Sequence, residues 1–182
     1  SGGVTILKEF LHSCRQQLKP KEELIRFETA PGDQMQADWT IFHKSAYLGA
    51  FVAGLGYSRR AYVEFVKHEE EPTLLQCHEN AFEYFGGVPK ESLYDNMKTV
   101  VIQRDKYGPG KHAFQKTFYD FAKHYGFIPR LCRPYRARTK GKVERFNRYL
   151  KESFYYPLIT LKPEVKGDLF TLNVEVKKWL HE

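Results

Sequence analysis

Gln34-Met35-Gln36-Ala37-Asp38-Trp39-Thr40-Ile41-Phe42 alternates without a break. Met35, Ala37, Trp39 and Ile41 point one way, and Gln34, Gln36, Asp38 and Thr40 point the other, the two-residue period of a β-strand. Its second face is unusually polar for a strand with such an apolar first face, and Asp38 lies in the middle of it. Pro31-Gly32-Asp33 marks a turn just before it.

Outward from this strand, Tyr47 to Leu55 is nearly all apolar, as a strand buried on both sides would be. Gly56-Tyr57-Ser58-Arg59-Arg60 turns the chain into a third strand, Ala61 to Val66, and the short links suggest an antiparallel meander. Glu70-Glu71-Pro72 then opens a helix, with acids at its positive end and proline in its first turn. Leu74, Leu75, His78, Ala81, Phe82 and Phe85 form its apolar stripe, and Gly86-Gly87 ends it. His78 on that stripe reads as a core histidine. Val88 to Tyr94 is expected as a fourth strand that delivers Asp95-Asn96 at its C-terminal end. Thr99 to Arg104 suits a short extra strand, and Lys106 to Lys111 a Gly/Pro loop. A helix from about His112 to His124, a fifth strand from Phe127 to Cys132 and a basic loop from Arg133 to Lys140 follow. A helix from about Gly141 to Phe154 then turns Val143, Phe146, Leu150 and Phe154 inward. Pro157 to Gly167 reads as an irregular connection, and Leu169 to His181 as a last helix. The order of strands and helices is that of a mixed α/β layer fold.

Before this core, Val4 to Leu18 has helical composition and reads as a linker helix; Ser1-Gly2-Gly3 reads as a cloning scar. The expected organisation is therefore scar and linker over 1–30, a catalytic core over 31–156, and a connection with a terminal helix over 157–182 leading to a further domain.

The 182 residues include 42% hydrophobic and 15% aromatic side chains, enough for an ordinary core. The longest apolar run, Ala46 to Leu55, is too short to span a bilayer. Three widely spaced cysteines without a C-x-x-C pair argue against a disulfide scaffold or zinc knuckle and for a reducing, intracellular compartment. The seven histidines show no metal-binding spacing, and no P-loop, GxGxxG or G-x-S-x-G appears. The net charge of +7 suits an anionic partner. Its distribution is telling: Arg130 to Lys151 holds nine Lys or Arg residues and one acid, Glu144. Such a stretch usually follows a phosphate backbone.

Chemistry at a phosphodiester needs an activated nucleophile and neutralisation of charge on the phosphorus. Two hard divalent cations held by carboxylates do both. Asp38 on a polar strand face, Asp95 at a strand end and Glu144 on a following helix make a plausible set. Each also has a plain structural role available. Asp38 suits an edge-strand gatekeeper, Asp95-Asn96 a turn pair, and Glu144 an i,i+4 partner of Arg148. Glu64, in the third strand, is the rival acid.

Four segments run in the order seen in retroviral-integrase-like transposases: Gln36-Ala37-Asp38-Trp39-Thr40, Gly56-Tyr57-Ser58-Arg59, Tyr94-Asp95-Asn96-Met97-Lys98 and Lys140-Gly141-Lys142-Val143-Glu144-Arg145-Phe146-Asn147. Among these transposases the chain most resembles the IstA-like enzymes of insertion sequences. The resemblance implies an α/β, ribonuclease-H-like fold with a five-stranded mixed sheet flanked by helices. It implies an acidic triad of Asp38, Asp95 and Glu144 that binds two Mg²⁺ or Mn²⁺ ions. The same site would cleave transposon ends and join their 3′ hydroxyls to target DNA. It also implies a homo-oligomer that pairs DNA ends, an AAA+ helper ATPase of the IstB kind, and a bacterial cytoplasmic setting. By position, Lys140 and Lys142, with Arg136 and Arg138 behind them, and Arg148 and Lys98 are the expected DNA contacts. Ala137 departs from the family, many members of which carry a proline there, and should loosen the basic loop. A nuclease that only hydrolyses, or an inactive DNA-binding scaffold, are the competing readings. No module for reading transposon ends is visible, so sequence specificity is expected before Val4 and beyond Glu182.

Overall fold

The computed structural model describes residues 5–6, 8, 10–11, 29–45, 47–132 and 137–181, with residues 137–142 described by their backbone. A mixed five-stranded sheet is the centre of the molecule. It comprises β1 (Gln34–His43), β2 (Leu48–Leu55), β3 (Ala61–Val66), β4 (Glu91–Tyr94) and an edge strand, Ile128–Leu131. Its spatial order is β3-β2-β1-β4 and then that edge strand. The first three strands form the expected antiparallel meander, whereas β4 runs parallel to β1 and the edge strand parallel to β4. Proline at position 129 is tolerated because this strand has a neighbour on one side only.

Helix α1 (Glu71–Phe85) has proline in its first turn and ends at Gly86, whose φ of 77° is the left-handed cap that glycine adopts without strain. Two short strands, β5 (Val101–Gln103) and β6 (Ala113–Phe114), pair as an antiparallel hairpin outside the main sheet. Helix α2 (Lys116–Tyr125) follows, then the edge strand, β7. Helix α3 (Ala137–Tyr149) runs into a π-helical turn at Leu150–Tyr155, then α4 (Tyr156–Leu161) and α5 (Leu169–Trp179).

Strand alternation sorts the core into two layers. On one face, Met35, Ala37, Phe51 and Tyr62 pack with Leu74 and Phe82 of α1 and Phe118 of α2. On the other, Val52, Val63 and Phe65 pack with Val143, Leu150 and Phe154, and with Leu172 and Val176 of α5. The polar face of β1 is thus also covered, with Gln36 and Thr40 both buried. Asn173 of α5 fixes that helix to β3, bonding the Phe65 N–H and C=O at 2.7 and 3.1 Å.

Several expectations need correcting. The helix expected from His112 starts at Lys116, because Ala113 and Phe114 pair with β5. Val88 is exposed, and β4 begins only at Glu91. The helix expected from Gly141 already begins at Ala137, so Arg138 and Lys140 lie in its first turns and Ala137 is not in a loop. Helix propensity explains this: alanine starts the turn and the single Gly141 costs only about 1 kcal/mol within it. The supposedly irregular stretch after Pro157 contains α4 and a 3₁₀ turn at Pro163–Val165. The linker helix expected over Val4–Leu18 falls largely outside the described residues, as does Arg136.

Candidate active site

Asp38 lies on β1, the central strand, so it is not an edge-strand gatekeeper. It pairs in register with Val52 and therefore faces the layer that contains α3. The parallel register between β1 and β4 ends with Ala37 opposite Tyr94. The next residue in each segment is an aspartate, Asp38 within β1 and Asp95 just past the end of β4. Two backbones about 4.8 Å apart thus deliver two carboxylates at neighbouring positions where β4 ends. Asp38 is half-buried and Asp95 exposed.

Helix α3 packs across β1 and β2. Val143 of α3 and Leu150 of the π-helical turn after it are buried against the sheet, and Asn147 donates from Nδ2 to Asp38 Oδ2 at 3.3 Å. Glu144 is one turn before Asn147 on the same helical side, with its carboxylate exposed. Glu144, Asn147, Arg148, Lys151, Glu152 and Tyr156 line a shallow cleft. Arg148 pairs with Glu152 at 2.8 Å, so the i,i+4 pairing expected for Glu144 is not the one formed. Among the described residues no three His, Cys, Asp or Glu side chains converge closely enough to hold a metal ion. The structure brings Asp38 and Asp95 to one place and sets Glu144 on the adjoining helix, outside that pair. Two hard carboxylates on neighbouring strands suit a divalent cation chemically.

Glu64 faces the opposite layer, since it pairs with Phe51. Its carboxylate accepts from Tyr62 Oη at 2.7 Å and from Asn80 Nδ2 at 3.1 and 3.2 Å. The rival acid is a satisfied structural group on the wrong side of the sheet.

Behind Asp95 sits a buttress that residue patterning alone did not reveal. Tyr94, the last residue of β4, is fully buried, and His78 of α1 is buried beside it. The His78 ring bonds the Leu74 carbonyl through Nδ1 at 2.7 Å and the Tyr94 hydroxyl through Nε2 at 2.8 Å. A carbonyl can only accept, so Nδ1 carries the proton and Nε2 accepts from Tyr94. Burial pushes the His78 pKa down to about 4, against a smaller upward pull from the Leu74 carbonyl. Burial also drives the Tyr94 phenol well above its usual range. Both groups are neutral at physiological pH and act as fixed hydrogen-bond partners. His78 is a core histidine, as its place on the helix stripe implied.

Of the expected DNA contacts, Lys98 is exposed just past Asp95, and Arg148 is exposed but paired with Glu152. Arg138, Lys140 and Lys142 lie on the first turns of α3, with side chains outside the described set. Asn147 was visible in the sequence beside Glu144, and its spacing of three was the signal that both share a helix side.

The family model for the integrase core domain matches residues 28–137, a span that includes both aspartates and stops short of Glu144. A putative transposase of insertion sequence element IS5376 from Geobacillus stearothermophilus is 47% identical over 161 residues, covering 85% of this chain and 39% of that protein. The IS640 transposase of Shigella sonnei is 37% identical over 187 residues, covering 99% of this chain and 56% of that protein. The chain thus spans about half the length of these relatives. Among solved structures, the HTLV-2 integrase catalytic core domain in complex with magnesium superimposes with a TM-score of 0.61 at 16% identity, over 81% of this chain and 87% of that one. The simian T-cell lymphotropic virus intasome gives 0.63 at 21% identity, over 80% and 47%. The fold is that of ribonuclease H.

Proposed function

The chain belongs to the integrase core domain family, and from that premise we propose that it is the catalytic core of an insertion-sequence transposase that cuts transposon ends and joins them to target DNA. One observation carries the reading. Asp38 and Asp95 each follow directly on the last paired residues, Ala37 and Tyr94, of two parallel strands, and the helix that bears Glu144 reaches Asp38 through Asn147. Asp38 and Asp95 would hold Mg²⁺ or Mn²⁺, with Glu144 as third ligand closing on the pair from α3. A divalent ion held there would supply neutralisation of charge on the attacked phosphate and a lowered pKa for the attacking hydroxyl.

The chain's own residues orient this chemistry. Asn147 fixes the rotation of the Asp38 carboxylate, and the His78–Tyr94 pair anchors the backbone that presents Asp95. Arg138, Lys140 and Lys142 of the first turns of α3, with Arg136 before them in the sequence, would neutralise the DNA backbone near the scissile phosphate, and Lys98 and Arg148 would contact it as well. A second metal ion, pairing of two DNA ends by a homo-oligomer, an IstB-like helper ATPase, a cytoplasmic location and end-reading segments elsewhere in the protein belong to the same proposal. No helix among the described residues is long and apolar enough to cross a membrane.

Strand transfer with a pre-cut end tests it, measured with Asp38→Asn, Asp95→Asn and Glu144→Gln in the longest natural form of the protein. Each variant should lose joined product by more than about a hundredfold, beyond the usual effect of losing an outer-shell partner. Cleavage without any joined product from the unaltered protein would make it a nuclease instead. Full activity in Asp38→Asn would refute the site.

A further inference from the structure

The β5–β6 hairpin leaves the sheet immediately after Asp95 and has no part in either core layer beyond its root. That root is tied to the site. Met97 N–H donates to the Asp95 carbonyl at 2.8 Å, and Gln115 bonds the Lys98 and Val100 carbonyls, both at 2.9 Å. Val100, Val101 and Ala113 are buried there.

Past the root the hairpin is closed by its own bonds. Tyr107 N–H donates to the Lys111 carbonyl at 3.1 Å, and Lys111 N–H to the Gly108 carbonyl at 2.9 Å. Gly110 N–H donates to Asp105 Oδ1 at 2.7 Å, and Asp105 N–H to His112 Nδ1 at 3.0 Å. Asp105 and Gly108 hold the tight turn with φ of 53° and 113°. The tip is therefore a built turn.

Its surface has one character. Residues 98–111 carry four basic side chains, Lys98, Arg104, Lys106 and Lys111, against one acid. That acid, Asp105, is engaged by a backbone N–H of the turn. Tyr107 stands 65% exposed at the tip and Ile102 61% exposed along the arm. The Lys106 ammonium lies 5.5 Å from the centre of the Tyr107 ring. Cations interleaved with an exposed aromatic ring are the surface that grips a nucleic-acid backbone and packs against its sugars or bases.

We propose that this hairpin is a second DNA-binding element, which holds the duplex beside the reacting strand through Arg104, Lys106 and Lys111, with Tyr107 packed against the nucleotide at its tip. The proposal rests on the transposase reading of the site. The three residues of β5, Val101–Gln103, carry the turn about 10 Å beyond the root, the length of about three base pairs along DNA. The hairpin sets where the flanking duplex lies, whereas the basic turns of α3 grip the phosphate being attacked.

The 182-residue chain with Lys106→Ala, Tyr107→Ala and Lys111→Ala combined is titrated with duplex DNA by fluorescence anisotropy across a range of KCl concentrations. These side chains lie outside the bonds that close the turn, so the hairpin stays formed. Affinity should fall about tenfold near 0.1 M salt, and the slope of log affinity against log salt should drop by about 2 for two lost phosphate contacts. A photo-crosslinker on Tyr107→Cys should label the duplex that flanks the cut. Unchanged affinity and slope would overturn the proposal, as would crosslinks to protein in place of DNA. Asp38→Asn separates the two ideas: it retains DNA binding and loses joining. If it kept joining, the site reading would fail even with the hairpin bound to DNA.

Discussion

Acidification should weaken this fold through one residue, His78. Its ring is buried among Phe51, Phe82, Phe118 and Phe127, with Nδ1 donating to Leu74 and Nε2 accepting from Tyr94. The folded pKa of about 4 lies below the ordinary value of 6.5. Between those values the unfolded chain binds the proton that the folded one refuses. Stability from this group is therefore full above about pH 6.5 and falls as pH drops toward 4. With these two pKa values the loss at pH 5 relative to pH 7 is about 2 kcal/mol. For a chain of this size that corresponds to a fall in Tm of about 4–8 °C. The control is His78→Leu combined with Tyr94→Phe, which removes both polar partners at once and keeps the volume close to native. Differential scanning fluorimetry from pH 5 to pH 7 on both proteins reads the difference, since every other titrating group contributes alike to each. The double variant should lose about 2 kcal/mol of the pH dependence. Parallel Tm curves for the two proteins would refute the argument, because they would mean that His78 is protonated in the folded state or is not buried.

Two further substitutions separate the site from the scaffold. Asn147→Ala removes the donor that fixes Asp38, so metal-dependent joining should fall about 10- to 100-fold while Tm changes by less than about 4 °C; an unchanged half-maximal metal concentration and rate would deny Asn147 any part in positioning. Glu64→Gln should do the reverse. It sets an amide donor against the Tyr62 hydroxyl or the Asn80 amide, lowering stability by about 1–3 kcal/mol in chemical denaturation with joining activity per folded molecule unchanged. Loss of activity without loss of stability would restore Glu64 as a candidate acid.

Strand alternation carried most of what the sequence revealed. It set Asp38 opposite Met35 and Trp39 and, with the β3 register, sent Glu64 to the far face, a separation that follows from a side-chain period of two. What alternation cannot encode is which strands become neighbours. The juxtaposition of Asp38 and Asp95 depends on β4 pairing parallel to β1 across an intervening helix, and nothing local to either strand specifies that. The hairpin was half legible for a similar reason. Thr99 to Arg104 looked extended on its own, but Ala113 and Phe114 precede a strongly helical run and were absorbed into it; only their partner in β5 makes them a strand. Glu144 is the instructive case. Its isolation within nine basic residues made it conspicuous, yet the obvious local partner, Arg148, is bound to Glu152. The helix thus keeps Glu144, in its third turn, exposed and out of that ion pair. If Asp38 and Asp95 hold a divalent cation, as proposed, that cation binds the folded chain alone, and Tm should rise with added Mg²⁺ or Mn²⁺ in the native protein and not in Asp38→Asn.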